Sequence, residues 1–341
     1  MSGVLEDREH RPLHLHILRA VPTLVILGLL VYFLLPRLGT IENSIETMRN
    51  LRWWALAVAL MWEVLSYVAN GALLQSVIHL TGDKAPLRRT IAMEIGAGAV
   101  SLVAAGALGF GAAIYRWTRN GGARTETAVL ASWLPSMFDS ITLVLFALAS
   151  AIELLHVHEL SHPEMIALII VITGLTAAIA AIIILLAREE WLEAIVNRLC
   201  RVIKRFRKSF DERTLTGFVE RAGHTWRTMK SGGWIRPAIF SLLVLTFDIL
   251  CLRYALIATG VGVHFSGLIA GYGVPLLLGR ASFLPGGIAV TEVAMAAIFG
   301  GLGVMPSAAV VAVLTYRLIS FWLPALVGIP IAITLQSRKR R

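Results

Sequence analysis

The sequence predicts an all-α, polytopic membrane protein, and three observations carry that prediction. The composition is 57% hydrophobic and 15% charged, with a mean hydropathy of +0.75, whereas soluble domains hold about 45–50% apolar and about 25% charged residues. The apolar residues fall in runs long enough to cross a bilayer. The basic residues gather in a few segments between those runs, so the formal net charge of +10 reads as topology and anionic lipid rather than nucleic acid.

The first run, residues 17–36, matches the roughly 20 residues needed to cross a hydrocarbon core about 30 Å thick. Arg37-Leu38-Gly39-Thr40 follows it without a small-residue cleavage pattern, so a retained helix is expected rather than a signal peptide. Further apolar segments cover 51–78, 91–115, 127–155, 165–187, 237–259, 266–304 and 307–335. Residues 188–236 carry 12 Lys/Arg against 6 Asp/Glu, the tail reads Arg338-Lys339-Arg340-Arg341, and 156–162 hold no Lys or Arg. The positive-inside rule then places 188–236 and both termini in the cytoplasm and 156–162 outside, as expected for a bacterial inner (cytoplasmic) membrane protein.

Segment 91–115 conflicts with that scheme if it crosses once. Lys84, Arg88 and Arg89 precede it and Arg116, Arg119 and Arg124 follow it, so both flanks read as cytoplasmic. Its length is too short for two spans of about 20 residues each. A re-entrant hairpin resolves the conflict, with Gly96, Gly98, Gly106, Gly109 and Gly111 allowing close packing and a tight reversal. Segment 266–304 gives the mirror case: it must start and finish outside, either as a hairpin, which we favour, or as two short spans. The expected architecture is about six full spans plus two re-entrant or broken hairpins. Its parts are a first half over 17–187, a basic amphipathic segment over 188–236 and a second half over 237–336.

One constant displacement along the chain sets Gly106 on Gly286, Ala112 on Glu292, Ala128 on Ala308 and Leu134 on Leu314. Together with opposite sides of insertion, this suggests an inverted-topology repeat, the architecture that places substrate sites at the midplane between discontinuous helices.

The most informative stretch is Ser282-Phe283-Leu284-Pro285-Gly286-Gly287-Ile288-Ala289-Val290-Thr291-Glu292. At membrane depth a helix break survives only where protein or a wet cavity satisfies the freed backbone groups, and a carboxylate there is a functional candidate. With Gly300-Gly301-Leu302-Gly303-Val304 after it, this stretch resembles the membrane domain of lysylphosphatidylglycerol synthases, a flippase-like family with stand-alone members. Two departures stand out: Ala289 replaces the last glycine of the family's Pro-Gly-Gly-x-Gly-x-x-Glu pattern, and the first-half element Gly111-Ala112-Ala113-Ile114-Tyr115-Arg116 has no glutamate. The resemblance implies lipid handling without aminoacyl transfer, since the 341 residues hold no soluble transferase domain. It also implies membrane lipids, above all phospholipid, as partners, with a lipid-modifying enzyme as a further candidate.

Charged residues inside the spans cost about 2.5–3.5 kcal/mol each on the lenient scale, so they should face one another or water. The candidate pathway residues are Glu292, Arg280, Pro285, Gly286, Gly287, Arg317, Asp139 and Asp248. Arg280 and Arg317 suit a lipid phosphate by guanidinium geometry. Glu292, Asp139 and Asp248 suit a cationic or hydroxylated headgroup. Arg280 and Glu292 are expected to approach each other across the hairpin tip, and the half-helix starting near Ile288 offers free N–H groups to an anion. Glu63, Glu94 and Arg253 read as packing or interfacial charges. Asp248 and Arg253 lie five apart, a poor spacing for a pair.

Between the halves, Trp191, Ile195, Leu199, Val202, Phe206 and Phe210 recur at helical spacing among Arg198, Arg201, Lys204, Arg205, Arg207 and Lys208. That pattern fits amphipathic helices on the inner leaflet. His156, His158, His162 and Glu159 raise a zinc site, but a solvated loop is expected. Cys200 and Cys251 imply no disulfide. No catalytic triad, phosphate-binding Gly-Lys loop or nucleotide motif occurs, so neither an enzyme nor a cofactor or metal is expected. The expected function is translocation of a phospholipid or related amphiphile between leaflets. The alternatives are a secondary transporter of a small polar solute and a non-transporting partner or regulator of a lipid-modifying enzyme.

Overall fold

The computed structural model describes residues 48–104, 106–157, 232–281 and 285–337, with scattered positions between 166 and 177. The expected first span at 17–36, most of 165–187, the basic segment up to 231 with Cys200, and the histidine loop from 158 lie outside the described residues.

Every regular element among the described residues is helical. α1 is Trp53–Leu80, α2 Leu87–Val103, α3 Ala107–Asn120 and α4 Thr125–Val157. After the basic segment come α5 (Ile235–Ala258), α6 (Phe265–Ala270), α7 (Gly273–Ala281), a 3₁₀ turn at Pro285–Gly287, α8 (Val290–Gly301) and α9 (Pro306–Arg317). A π-helical turn, Leu318–Trp322, joins α9 to α10 (Leu323–Ser337). Four helices among the described residues are long and apolar enough to cross a membrane: Trp53–Leu80, Thr125–Glu153, Ile235–Ala258 and the continuous run Pro306–Ser337. The protein is an all-α, multi-pass membrane protein.

Two stretches fold as hairpins. α2 and α3 form a hairpin of 17 and 14 residues, about 25 and 21 Å at 1.5 Å per residue. Arg89 at its start donates to the Trp117 carbonyl near its end at 2.9 Å, so both limbs open at one end of the bundle. That end also holds Lys84, Arg88, Arg119 and the Arg124–Asp83 contact, and we call it the basic end. The chain reverses at Gly106, whose φ of 57° suits glycine. α6, α7 and α8 form the second hairpin, which opens at the far end: residues 259–267 and 302–308 line one cleft there. The segment expected either as a hairpin or as two short spans therefore leaves and returns at the same end.

The displacement that sets Gly106 on Gly286 aligns the described helices of both halves. It carries α1 onto 233–260 against Ile235–Ala258, α2 onto 267–283 against α6 and α7, α3 onto 287–300 against Val290–Gly301, and α4 onto 305–337 against Pro306–Ser337. The equivalent helices α1 and α5 run antiparallel. The Arg52 N–H donates to the Ala258 carbonyl at 2.9 Å and the Ser66 hydroxyl to the Val244 carbonyl at 3.1 Å, one contact near the far end and one in the middle. Ala55, Ala59, Ser66, Ala69 and Ala255 are buried in the bundle, and small residues at such positions let backbones approach closely, which is how helices associate in lipid.

The halves also exchange partners. α2 of the first hairpin packs on α10, while α6 and α7 of the second pack on α4. Each exchange has a backbone-tight point: a Cβ on Gly328 would overlap the Ile95 carbonyl, and one on Gly273 would overlap the Phe146 carbonyl. Where the chain breaks between α6 and α7, the Ser150 hydroxyl of α4 donates to the Ala270 carbonyl at 2.6 Å. That bond satisfies an acceptor which lipid would leave unpaired.

Candidate functional site

The 3₁₀ turn at Pro285–Gly287 forms the tip of the second hairpin and lies against α2 of the first, so the two insertions meet inside the bundle. Gly286 and Gly287 both take positive φ, 65° and 66°. Gly287 sits on the backbone of Gly279, where a Cβ would come within 2.7 Å of the Gly279 Cα. Ala289, at the last glycine position of the family pattern, keeps the left-handed sign with φ 70°, the sole such non-glycine among the described residues.

Arg317 holds this tip. Its Nε donates to Glu292 Oε1 at 2.6 Å, its Nη2 donates to the Gly286 carbonyl at 2.8 Å, and its guanidinium carbon lies 4.4 Å from the centre of the Phe321 ring. The π turn after Arg317 sets Phe321 beneath the guanidinium. Both partners of the pair are buried, with 7% and 2% of their side chains exposed. Glu292 stands in the first turn of α8, where a carboxylate suits the helix dipole. Arg317 is thus committed to protein groups, and Glu292 faces Arg317 rather than Arg280.

Arg280 turns the other way. Its Nη2 donates to Asp139 Oδ2 on α4 at 2.6 Å, and 44% of its side chain remains exposed. Asp139 Oδ1 is buried with no hydrogen-bond partner. Asp139 lies 14 residues into α4, about 21 Å along the helix axis.

A third group lies at the same depth. Asp248 Oδ2 accepts from the Tyr272 hydroxyl at 2.6 Å and from the Tyr316 hydroxyl at 2.9 Å. Glu63 on α1, expected as a packing charge, is buried beside Asp248 and Cys251. Glu63 and Tyr316 each stand ten residues past the far-end start of α1 and α9, and Asp248 ten before the far-end finish of α5. That is about 15 Å, half a hydrocarbon core. Glu94 is buried on α2, and Arg253 is exposed and apart from Asp248.

Sequence reasoning placed Pro285, Gly286, Gly287, Glu292, Arg317, Arg280, Asp139 and Asp248 in one region, and the fold brings them there as three separate clusters. The sequence reading assigns Glu63 to packing or an interface and does not single out Tyr67, Tyr272 or Tyr316. Their signals were tyrosines away from the interfacial belt where they are enriched, and a polar stripe at Glu63, Ser66, Tyr67 and Asn70 spaced for one helix face.

The fold and these clusters define a multi-pass membrane protein with interlocked hairpins and ion pairs at mid-depth. The family described as the lysylphosphatidylglycerol synthase TM region matches residues 21–328, and the chain belongs to that family. Among its relatives are the UPF0104 membrane protein PH1989 of Pyrococcus horikoshii, 25% identical over 209 residues, covering 56% of this chain and 59% of the relative. A UPF0104 membrane protein of Methanothermobacter thermautotrophicus is 34% identical over 151 residues, 41% of this chain and 44% of the relative. The matched stretches thus span about half of those relatives' lengths. The family gives the protein a lipid-related role in the membrane.

Proposed function

We propose that this protein moves a phospholipid, or an amphiphile built like one, between membrane leaflets, with no chemical conversion of its cargo. In this reading the two hairpins are re-entrant, one from each aqueous side of an inner membrane, with the basic end and both termini in the cytoplasm. The headgroup travels along the polar seam where the tips meet, while the acyl chains stay in hydrocarbon. Only headgroup desolvation then has to be offset by the protein.

The observation that carries the reading is the contrast between the two arginines. Arg317 is enclosed and fully engaged. Arg280 is half-exposed and binds Asp139 through one nitrogen; each pair leaves one buried carboxylate oxygen without a protein partner, on Asp139 and on Glu292, so the contrast lies in the open guanidinium of Arg280. That arrangement offers N–H donors to a phosphate and an acceptor to an amine or hydroxyl of the same headgroup.

The test is leaflet exchange of labelled phospholipid in proteoliposomes. Wild type should exchange lipid, and Arg280→Ala should slow exchange about 10- to 100-fold, the loss expected from hydrogen bonds to a charged group worth about 1.5–3 kcal/mol. Unchanged exchange in Arg280→Ala removes the site. A wild type that exchanges no lipid favours a regulator of another enzyme, and saturable uptake of a polar solute without lipid exchange favours the solute transporter.

A further inference from the structure

The cluster at Glu63 and Asp248 is not needed to hold the hairpin tip, and its hydrogen bonds do not close. Asp248 Oδ2 is filled by two tyrosine hydroxyls. The antiparallel register fixed by Arg52 on Ala258 and Ser66 on Val244 sets Glu63 opposite Phe247, next to Asp248, and the Trp62 and Phe247 rings stack 5.5 Å apart beside them. The two carboxyls and the Cys251 thiol are mutual neighbours there. Neither Glu63 Oε2 nor Asp248 Oδ1 has a donor from any other group. Glu63 is 5% exposed, and Tyr272 and Tyr316 are buried. Two ionised carboxylates in contact, away from water, repel strongly, and a pair so placed holds one proton between its oxygens.

The surroundings supply no cation to replace that proton. α1 adds Tyr67, with Glu94 of α2 beyond it. α5 adds Cys251, the second hairpin adds Tyr272, and α9 adds Tyr316 and Arg317, while α4 presents the Phe146 ring to Tyr272. Asp139 lies farther off and is taken by Arg280. Arg317 is the nearest cation, and it is engaged by Glu292 and the Gly286 carbonyl. Among the described residues, the carboxyl groups of Glu63, Glu94, Asp139, Asp248 and Glu292 thus face two guanidiniums, which pair with Asp139 and Glu292 and leave none for Glu63 or Asp248.

We propose that the Glu63–Asp248 pair is a proton-binding site that couples lipid movement to a proton gradient, a step that rests on the translocation reading above. Loading takes one proton from one aqueous side into a single O–H···O bond and brings the pair to one net negative charge. Release returns that proton to water on the other side and leaves two carboxylates. Their repulsion acts on the groups that hold Asp248: Tyr272 at the break between α6 and α7, and Tyr316 next to the arginine that clamps the tip. The proton state thereby reaches the second hairpin at two points.

Two measurements test this independently. Infrared difference spectra of purified protein at neutral pH should show a protonated-carboxyl C=O band that disappears in Glu63→Gln and in Asp248→Asn. Both substitutions imitate the loaded pair and keep its hydrogen bonds, so the fold should survive. If neither substitution removes such a band, the proton site is overturned whether or not lipid moves. In proteoliposomes, one unit of pH difference should shift the steady-state leaflet ratio of labelled phospholipid about tenfold for one proton per lipid, since about 1.4 kcal/mol corresponds to a factor of ten. The ratio should return to about one in Glu63→Gln. Lipid exchange in wild type with no response to the pH gradient, or with a response to sodium instead, overturns the coupling and leaves translocation standing. No exchange at all removes the translocation reading and the coupling with it.

Discussion

Hairpin 1 (α2 and α3) and hairpin 2 (α6 to α8) turn on equivalent glycines, Gly106 and Gly286, both at positive φ, yet their tips are held by different means. A Cβ at Gly106 would meet nothing within 4 Å, and Leu108 beside it is 78% exposed. A Cβ at Gly286 would overlap the Phe321 ring, and the Gly286 carbonyl is tied to Arg317. The same division runs through the core. The repeat equivalents of Glu63, Glu94, Asp139, Asp248, Arg280, Glu292 and Arg317 are Leu243, Val274, Ile319, Val68, Val100, Ala112 and Met137, all apolar. The backbone kept its two-fold plan while each charge was placed once. A symmetric scaffold built from packing thus carries an asymmetric site, and the arginine clamp belongs to hairpin 2 alone.

The largest break in that comparison should come from Arg317→Ala. Glu292 is then left buried and unpaired and the Gly286 carbonyl loses its donor, a loss of about 3–5 kcal/mol readable as a lower midpoint of thermal unfolding in detergent. Replacing both partners by leucine should recover most of it; a double variant as unstable as the single would show that the pair does more than neutralise itself. Next comes the paired test of the tips. Gly106→Ala should cost about 1–3 kcal/mol from backbone strain alone. Gly286→Ala should cost about 1–3 kcal/mol more because its Cβ also overpacks against Phe321. Equal losses would mean the clamp does not constrain the second tip.

A smaller effect of opposite sign is expected at Ala289, where φ 70° and ψ −41° strain a residue with a Cβ. Ala289→Gly should raise the unfolding midpoint, with a gain of about 1 kcal/mol after the extra chain entropy of glycine is subtracted. A fall would show that the alanine methyl packs well enough to outweigh its strain. The smallest effect lies at the basic end. Partial burial works to raise the pKa of Asp83, but hydrogen bonds from Thr127 and from the Arg124 backbone and guanidinium outweigh it, so the net shift is downward. Its contribution is therefore present above the ordinary carboxylate pKa and is lost as pH falls through the lowered value. With Arg124 54% exposed, Asp83→Asn should cost no more than about 1 kcal/mol near neutrality and nothing in strong acid. A loss that persists at low pH would place its role in hydrogen bonding rather than charge.

Much of this arrangement could be read from the sequence, because lipid makes length and charge strict constraints. The basic residues on both flanks of 91–115 pointed to a hairpin, and α2 and α3 fold as one with both limbs at the basic end. The displacement of Gly106 onto Gly286, visible in the sequence on a few small residues, holds for the described helices of both halves. The pairings could not be read in the same way. Glu292 meets Arg317 instead of Arg280 because α8 folds back on α9 through a short link, whereas α7 leans on α4, 141 residues away in sequence from Arg280 to Asp139. Such angles depend on backbone-tight points like Gly287 against Gly279, which a glycine count does not distinguish from ordinary packing. Glu63 was underrated because a lone acid early in a span resembles an interfacial charge until its helix is laid against α5.

The exchange of partners between the halves also sets an order for biogenesis. Hairpin 1 reaches the bilayer early, but the helix that covers it, α10, is translated roughly 230 residues later, some 10–45 s at ribosomal speeds of about 5–20 residues per second. Until then the face of α2 that later meets Gly328, at Ile95 and Ala99, lies open to lipid or to the insertion machinery, while its other faces already pack on α1 and α3. That face of the first hairpin is closed only when the last helix arrives.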